Sequence, residues 1–205
     1  MELESIKDKI ISESIALFLK YGVRSVTMDD IAKHLGMSKK TIYHHFKDKE
    51  EIILLASSRY FENEHKSMDA IEKESENAVD HLYNLTLCLR GQLGNTNSSV
   101  LYDLKKYYAK AWENYMKYKY EVIFKSVKRN LERGISEGLF RSDINPEIIA
   151  YLRIGCIEMS FNNELFPEDK YTLMEIHEQM FQHFTYGILS EKGMKLFETY
   201  KQKES

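Results

Sequence analysis

The chain has 205 residues, enough for one large domain or a small one joined to a larger one. Its 43% hydrophobic and 30% charged residues exclude a disordered tail, and a formal net charge of −3 excludes a protein that coats nucleic acid all over. Only two prolines and nine glycines interrupt it, which with abundant Lys, Glu, Leu, Ile and Met favours an all-α chain.

The first ten residues, MELESIKDKI, are charged and lack the apolar core of a signal peptide. No run approaches the roughly 18–20 apolar residues that cross a bilayer, so a cytoplasmic protein away from the membrane is expected. Ile6, Ile10, Leu17 and Tyr21, widened by Ile11, Ile15 and Phe18, predict a first helix that stops at Gly22. Three shorter beginnings follow. Thr27, answered by Asp30, caps a helix that carries Ile31 and Leu35 inward and ends at Gly36. Ser38 caps the next, KKTIYHHF, whose apolar face is Ile42 and Phe46. Asp48, with Glu51 three residues later, caps a longer one. A helix, a glycine-containing turn and a second helix have the spacing of a helix-turn-helix.

Longer helices are predicted over about 49–73, 76–93, 98–118 or beyond, 119–138, 146–164 and 169–190, with a short one over 192–201. The breaks fall at 94–99, 137–146 and 164–169. Pro146 and Pro167 each stand where a helix is predicted to begin, the position that tolerates proline. Cys88 and Cys156 lie in apolar helical stretches and read as reduced, buried thiols.

Between Lys33 and Lys49 there are five lysines against one carboxylate, so positive charge is concentrated in one place, as a local DNA contact requires. With Ile42 and Phe46 turned inward, Lys39, Lys40, Thr41, Tyr43 and His44 are left outward. Lysine, threonine and histidine can hydrogen-bond base edges, and Tyr43 is long enough to reach a phosphate. The backbone N–H groups at 49–51, with the Lys49 charge, suit a second phosphate.

Residues 10–55 resemble the DNA-binding domain of the TetR family of bacterial transcriptional regulators. The resemblance is carried by Ala16, Phe18, Gly22, the Thr27 cap and IAKHLGMSKKTIYHHFKDKEEI, with Gly36, Ser38, Thr41, Tyr43, Phe46 and Lys49 in register. It covers about a quarter of the chain; beyond it, ISEGLFRSDINPEIIA resembles the family's junction between the seventh and eighth helices. The resemblance implies a two-part, all-helical homodimer: a helix-turn-helix domain over 1–48 and an effector-binding and dimerisation domain over 49–205. It implies that Lys39, Lys40, Thr41 and His44 read bases, and that Thr27, Tyr43 and Lys49 hold phosphates. Operator sequence and effector do not carry over.

Other chemistries fail on counting. His44 and His45 are adjacent, so a helix points them about 100° apart and they cannot share a metal. HEQMF at 177–181 has Phe181 where a zinc protease needs its second histidine, and Glu62-x-x-His65 is a single copy of a pair that a di-iron bundle needs twice. No nucleophile motif or phosphate loop is present, so neither an enzyme nor a cofactor or metal is expected.

The body carries two further features. Eight aromatic residues crowd 102–124, and Tyr108, Trp112 and Tyr115 share one helical face. They read equally as closed core or as the wall of a pocket, because tyrosine and tryptophan bring polar tips that a core does not need. With Leu85, Cys88 and Met159 they form the candidate site for a small, mainly apolar or aromatic effector. In 146–164, Ile148, Ile149, Leu152, Cys156 and Met159, and in 169–190, Leu173, Ile176, Met180, Phe181, Phe184 and Ile188, give bands wider than one core face requires. They predict a homodimer through these two helices, placing two recognition helices on a palindromic double-stranded operator. The expected activity is a repressor released by its ligand. Two other readings stand beside it: a DNA-dependent regulator acting through a protein partner on the same scaffold, and a helical enzyme or carrier.

Overall fold

The computed structural model describes residues 5–93 and 96–202, which fold as α-helices and one π-helical turn. The chain forms two compact units, residues 1–64 with 95–117, and residues 65–94 with 118–205.

The first unit begins with α1 (Ile6–Tyr21), capped by the Ser5 side chain, which accepts the Asp8 N–H, and closed at Gly22. It buries Ile10, Ile11, Leu17 and Phe18. α2 (Met28–Leu35) opens on a full capping box: Thr27 Oγ1 accepts the Asp30 N–H while the Asp30 carboxylate accepts the Thr27 N–H. It ends at Gly36, left-handed at φ 63° and ψ 28°, a conformation that favours glycine. α3 (Lys39–His45) starts at Ser38 and buries Ile42. α4 (Lys49–Glu74) starts from Asp48, whose carboxylate accepts the Glu51 N–H at 2.9 Å while Glu51 accepts the Lys47 N–H at 2.7 Å.

Ile52, Ile53 and Ala56 of α4 join Ile10, Ile31, Ile42 and Phe46 in a single core. The unit therefore runs past residue 48, where the sequence suggested a boundary. Leu104 and Ala111 complete that core from α6 (Val100–Tyr107) and α7 (Ala109–Tyr118). These two were predicted as one helix over 98–118. The chain breaks at Tyr108, at φ −132° and ψ 68°, and no glycine or proline marks the break. Of the loop predicted over 94–99, residues 94 and 95 lie outside the described residues.

The second unit contains the end of α4, α5 (Ala78–Leu93), a π-helical turn (Lys119–Phe124), α8 (Lys125–Ser136), α9 (Pro146–Ser160), α10 (Leu173–Ile188) and α11 (Glu191–Gln202). Its core gathers Val79, Leu82, Leu131, Phe140, Ala150, Phe181, Phe184, Ile188 and Phe197. Burying an aliphatic or aromatic side chain of this size contributes about 1.5–3 kcal/mol. Pro146 occupies the first turn of α9, where the Asn145 side-chain oxygen accepts the N–H groups of Glu147 and Ile148. Pro167 does not begin a helix. α10 starts six residues later at a second capping box, Thr172 with Glu175, which supplies the start that the proline was expected to give. Cys88 and Cys156 are half-buried rather than buried, and no disulfide joins them. No helix is long and apolar enough to cross a membrane among the described residues.

Candidate nucleic-acid interface

α3 divides its side chains cleanly. Ile42 is fully buried and Phe46, its C-cap, is 1% exposed, whereas Lys39, Lys40, Tyr43 and His44 are exposed and Thr41 is half-exposed. The division follows from the 3.6-residue turn: once Ile42 and Phe46 point inward, positions 39, 40, 43 and 44 must point out. The Tyr43 ring, 47% exposed, projects from the middle of this surface. The outward face carries Lys39, Lys40 and His44 and no carboxylate; Asp29 of α2 comes to the Lys39 ammonium at 3.0 Å. That contact holds Lys39 along the surface and raises its pKa. Thr41 Oγ1 lies 2.8 Å from Ser38 Oγ, and His44 meets the edge of His45, ring centroids 5.3 Å apart.

Thr27 and Lys49 stand differently. The Thr27 hydroxyl donates to Asp30 at 2.6 Å within the capping box. Lys49 is half-buried, its Nζ donates to the Arg24 carbonyl at 3.2 Å, and burial lowers its pKa against the opposing pull of Asp103 and Asp30. Sequence reading missed the partners of this corner. Asp103, 5% exposed on α6, accepts the Arg24 N–H at 2.9 Å, and the Arg24 guanidinium lies over the Tyr107 ring, 5.1 Å from its centroid. A buried carboxylate in the amphipathic run VLYDLKKY was the available signal.

The six candidate effector residues fall in both units. In the first, Tyr115 is 3% exposed, its ring 4.9 Å from Trp112 and 5.9 Å from Phe61, and Tyr108 and Trp112 pack against the same core. In the second, Leu85 is half-buried against the core, Cys88 lies 3.8 Å from the Ser67 hydroxyl, and Met159 is 40% exposed. A cleft in the second unit is lined by Thr86, Leu89, Arg90, Met174, His177, Glu178 and Phe181, and by none of those six. Among the described residues, no three His, Cys, Asp or Glu side chains gather as metal ligands would.

The two helices expected at a dimer interface also differ. Leu173, Ile176, Phe181, Phe184 and Ile188 of α10 are buried within their own unit. On α9, Ile148 (65% exposed), Tyr151, Leu152 and Met159 form an outward apolar face at helical spacing.

Comparison with known proteins agrees with this geometry. Residues 10–56 match the profile described as bacterial regulatory proteins, tetR family. The HTH-type transcriptional regulator YvaF of Bacillus subtilis is 23% identical over 188 residues, 90% of this chain and 96% of that protein. The biofilm operon icaADBC HTH-type negative transcriptional regulator IcaR of Staphylococcus aureus is 33% identical over 78 residues, 38% of this chain and 42% of that protein. The crystal structure of a TetR-family transcriptional regulator from Agrobacterium tumefaciens superposes with a TM-score of 0.75 at 14% identity, over 90% of this chain and 97% of that one. At that identity the likeness speaks for the fold. With the helix-turn-helix in place, the matched segment covering it and the helical fold shared along nearly the whole chain, residues 10–56 form a TetR-family DNA-binding domain and the protein is a transcriptional regulator of that type.

Proposed function

We propose that the protein is a cytoplasmic repressor that binds a palindromic operator as a homodimer and leaves it when a small, mainly apolar or aromatic ligand binds the body. The observation that carries the reading is the exposed face of α3, with Lys39, Lys40, Tyr43 and His44 outward over a buried Ile42. Lys39, Lys40, Thr41 and His44 would read bases, and Tyr43, Thr27 and Lys49 would hold phosphates. Repression, rather than activation, is favoured by the likeness to IcaR, a negative regulator 33% identical over 78 residues.

One small helix-turn-helix makes few contacts, so two copies spaced by about one DNA turn, roughly 34–36 Å, are needed to read a palindrome tightly. The exposed α9 face of Ile148, Tyr151, Leu152 and Met159 is the surface that would join them. α4 runs on from the head in one unbroken helix, Lys49–Glu74, so a ligand that displaces its later turns would change the spacing of the two heads. Such a switch needs a coupling of only about 1–3 kcal/mol.

The test is selection of bound sequences from a random duplex DNA pool by the purified full chain, at low and at physiological salt. A recovered palindrome, bound more weakly by Tyr43→Ala, supports the reading. Binding that disappears with salt and selects no sequence would mean that α3 does not read bases.

A further inference from the structure

Arg153 sits in the middle of α9, 4% exposed, in the apolar run YLRIGCIEMS. Its guanidinium lies over two rings of α10, 4.7 Å from the Phe181 centroid and 5.5 Å from that of Phe184. Nη1 is buried and has no hydrogen-bond partner, and no carboxylate among the described residues pairs with it. Carboxylates on the same helices are engaged elsewhere: Glu158 accepts from Lys119 at 2.8 Å and Glu178 from Arg90 at 2.9 Å. Burial lowers the guanidinium pKa to about 10, which still leaves it charged at neutral pH. A buried charge without a counter-ion is costly, and the faces of two aromatic rings offset only part of that cost.

The surroundings suit a ligand rather than a missing structural partner. Phe181, which stacks under the guanidinium, also lines the cleft with Thr86, Leu89, Met174 and His177. His177 feels the Arg153 charge, which together with burial holds its imidazole neutral. Ser160 Oγ donates to the Ile157 carbonyl at 2.6 Å, so the His177 Nε2–H donates to the Ser160 oxygen, also 2.6 Å away. On the same buried face of α10, Thr185 is wholly buried and its hydroxyl has no partner. One buried positive fork and a cleft that share Phe181 form a half-built receptor for an acid group.

We propose that Arg153 anchors the carboxylate of a small, otherwise apolar acid whose body lies in the cleft lined by Thr86, Leu89, Met174 and Phe181. This gives the ligand of the proposed repressor a chemical class, and it rests on that reading only where release from DNA is concerned. A neutral apolar compound cannot meet the guanidinium, whereas a carboxylate can accept two parallel N–H bonds from it.

The experiment is calorimetric titration and thermal unfolding of the full chain with hexanoate and benzoate, each against its alcohol, 1-hexanol and benzyl alcohol. Both acids are expected to bind about tenfold or more tighter than their alcohols, the factor typical of one charge-assisted, bidentate pair. Arg153→Met keeps the bulk and is expected to erase that preference. Arg141→Gln, whose exposed guanidinium pairs with Asp143 outside the cleft lining, is expected to leave it intact. Equal binding of acid and alcohol to the wild type overturns the proposal, and so does a preference that survives in Arg153→Met or vanishes in Arg141→Gln. Should Arg153→Met not fold, Arg153→Lys, which keeps the charge but loses the planar fork, is expected to cut the preference, and an unchanged preference there overturns the proposal. Operator affinity measured alongside separates the two readings. Acids that bind through Arg153 without changing operator affinity leave this site standing and sink ligand release. Alcohols that release DNA while acids show no preference do the reverse.

Discussion

The backbone N–H of Arg24 donates to the carboxylate of Asp103 at 2.9 Å, across 79 positions of sequence. From the other side, the Arg24 carbonyl accepts the Lys49 ammonium at 3.2 Å. The loop between α1 and α2 is thus held by α6 and by the first residue of α4, both within the unit that carries the recognition helix. Asp103→Ala would strand a partly buried N–H, a loss of about 1–3 kcal/mol. The thermal midpoint should fall by several degrees, and Asp103→Asn, which keeps an acceptor oxygen, should recover most of it. An alanine variant as stable as the wild type would refute this role for Asp103.

On α3, two substitutions should separate reading from holding. Lys40→Ala is expected to weaken operator binding by about 1–3 kcal/mol and to relax preference at one base position, as loss of a base contact does. Tyr43→Ala is expected to weaken binding to all sequences alike. Both side chains are exposed, so unfolding free energies should stay within about 0.5 kcal/mol of wild type. Binding isotherms on operator and on scrambled duplex give the comparison. Identical specificity profiles in the two variants would contradict the assignment.

Leu152 is 56% exposed at the centre of the outward face of α9. Leu152→Glu places a charge where two apolar faces are proposed to meet, and should shift sedimentation from dimer to monomer with the helical signal unchanged. Operator affinity should fall with it, since a single head makes too few contacts. A dimer that persists in Leu152→Glu would move the interface away from α9.

His177 gives the protein a predictable acid sensitivity. Burial, aided by the Arg153 charge, lowers its pKa from 6.5 to about 4. The unfolded chain therefore binds a proton that the folded one refuses between those two values, and stability falls as pH drops from 6.5 towards 4. Fully developed, the effect is about 3 kcal/mol, because each tenfold loss of proton affinity is worth about 1.4 kcal/mol. Burial also lowers the His81 pKa, which acts in the same direction. Denaturant titrations at pH 7.5 and pH 5 should show the loss, and His177→Gln, which can still donate to Ser160, should reduce it. An equal loss in the variant would assign the sensitivity to other groups.

Gly193 lies in α11 where a Cβ would come within 2.0 Å of the Leu139 carbonyl oxygen. Backbone atoms cannot move aside as a side chain tip can, so Gly193→Ala should cost about 1–3 kcal/mol. A lower denaturation midpoint with an unchanged slope is the expected result; an unchanged midpoint would mean that α11 shifts freely.

The helices of the head were legible because their signals are local. Thr27 with Asp30, Ser38, Asp48 with Glu51 and the two glycines that end α1 and α2 act within one turn of the residues they cap, and the inward turn of Ile42 and Phe46 follows from period alone. The same holds for Pro146 at the start of α9. Pro167 misled because a proline tolerated at a helix start is equally at home in a turn, and the capping box at Thr172 decided the matter.

What the sequence determined by itself, then, was the all-α class, the helix-turn-helix and the family, each written in short-range patterns. Tertiary structure decided which of two equally apolar helix faces stays outside. The face of α10 closes its own core, whereas that of α9 keeps Ile148 and Leu152 exposed, because burial depends on which neighbouring helix arrives. It likewise drew Asp103 to Arg24 and left Arg153 buried on two phenylalanine rings. Periodicity records how apolar a face is, but not what will cover it or which charge will be shut in behind it.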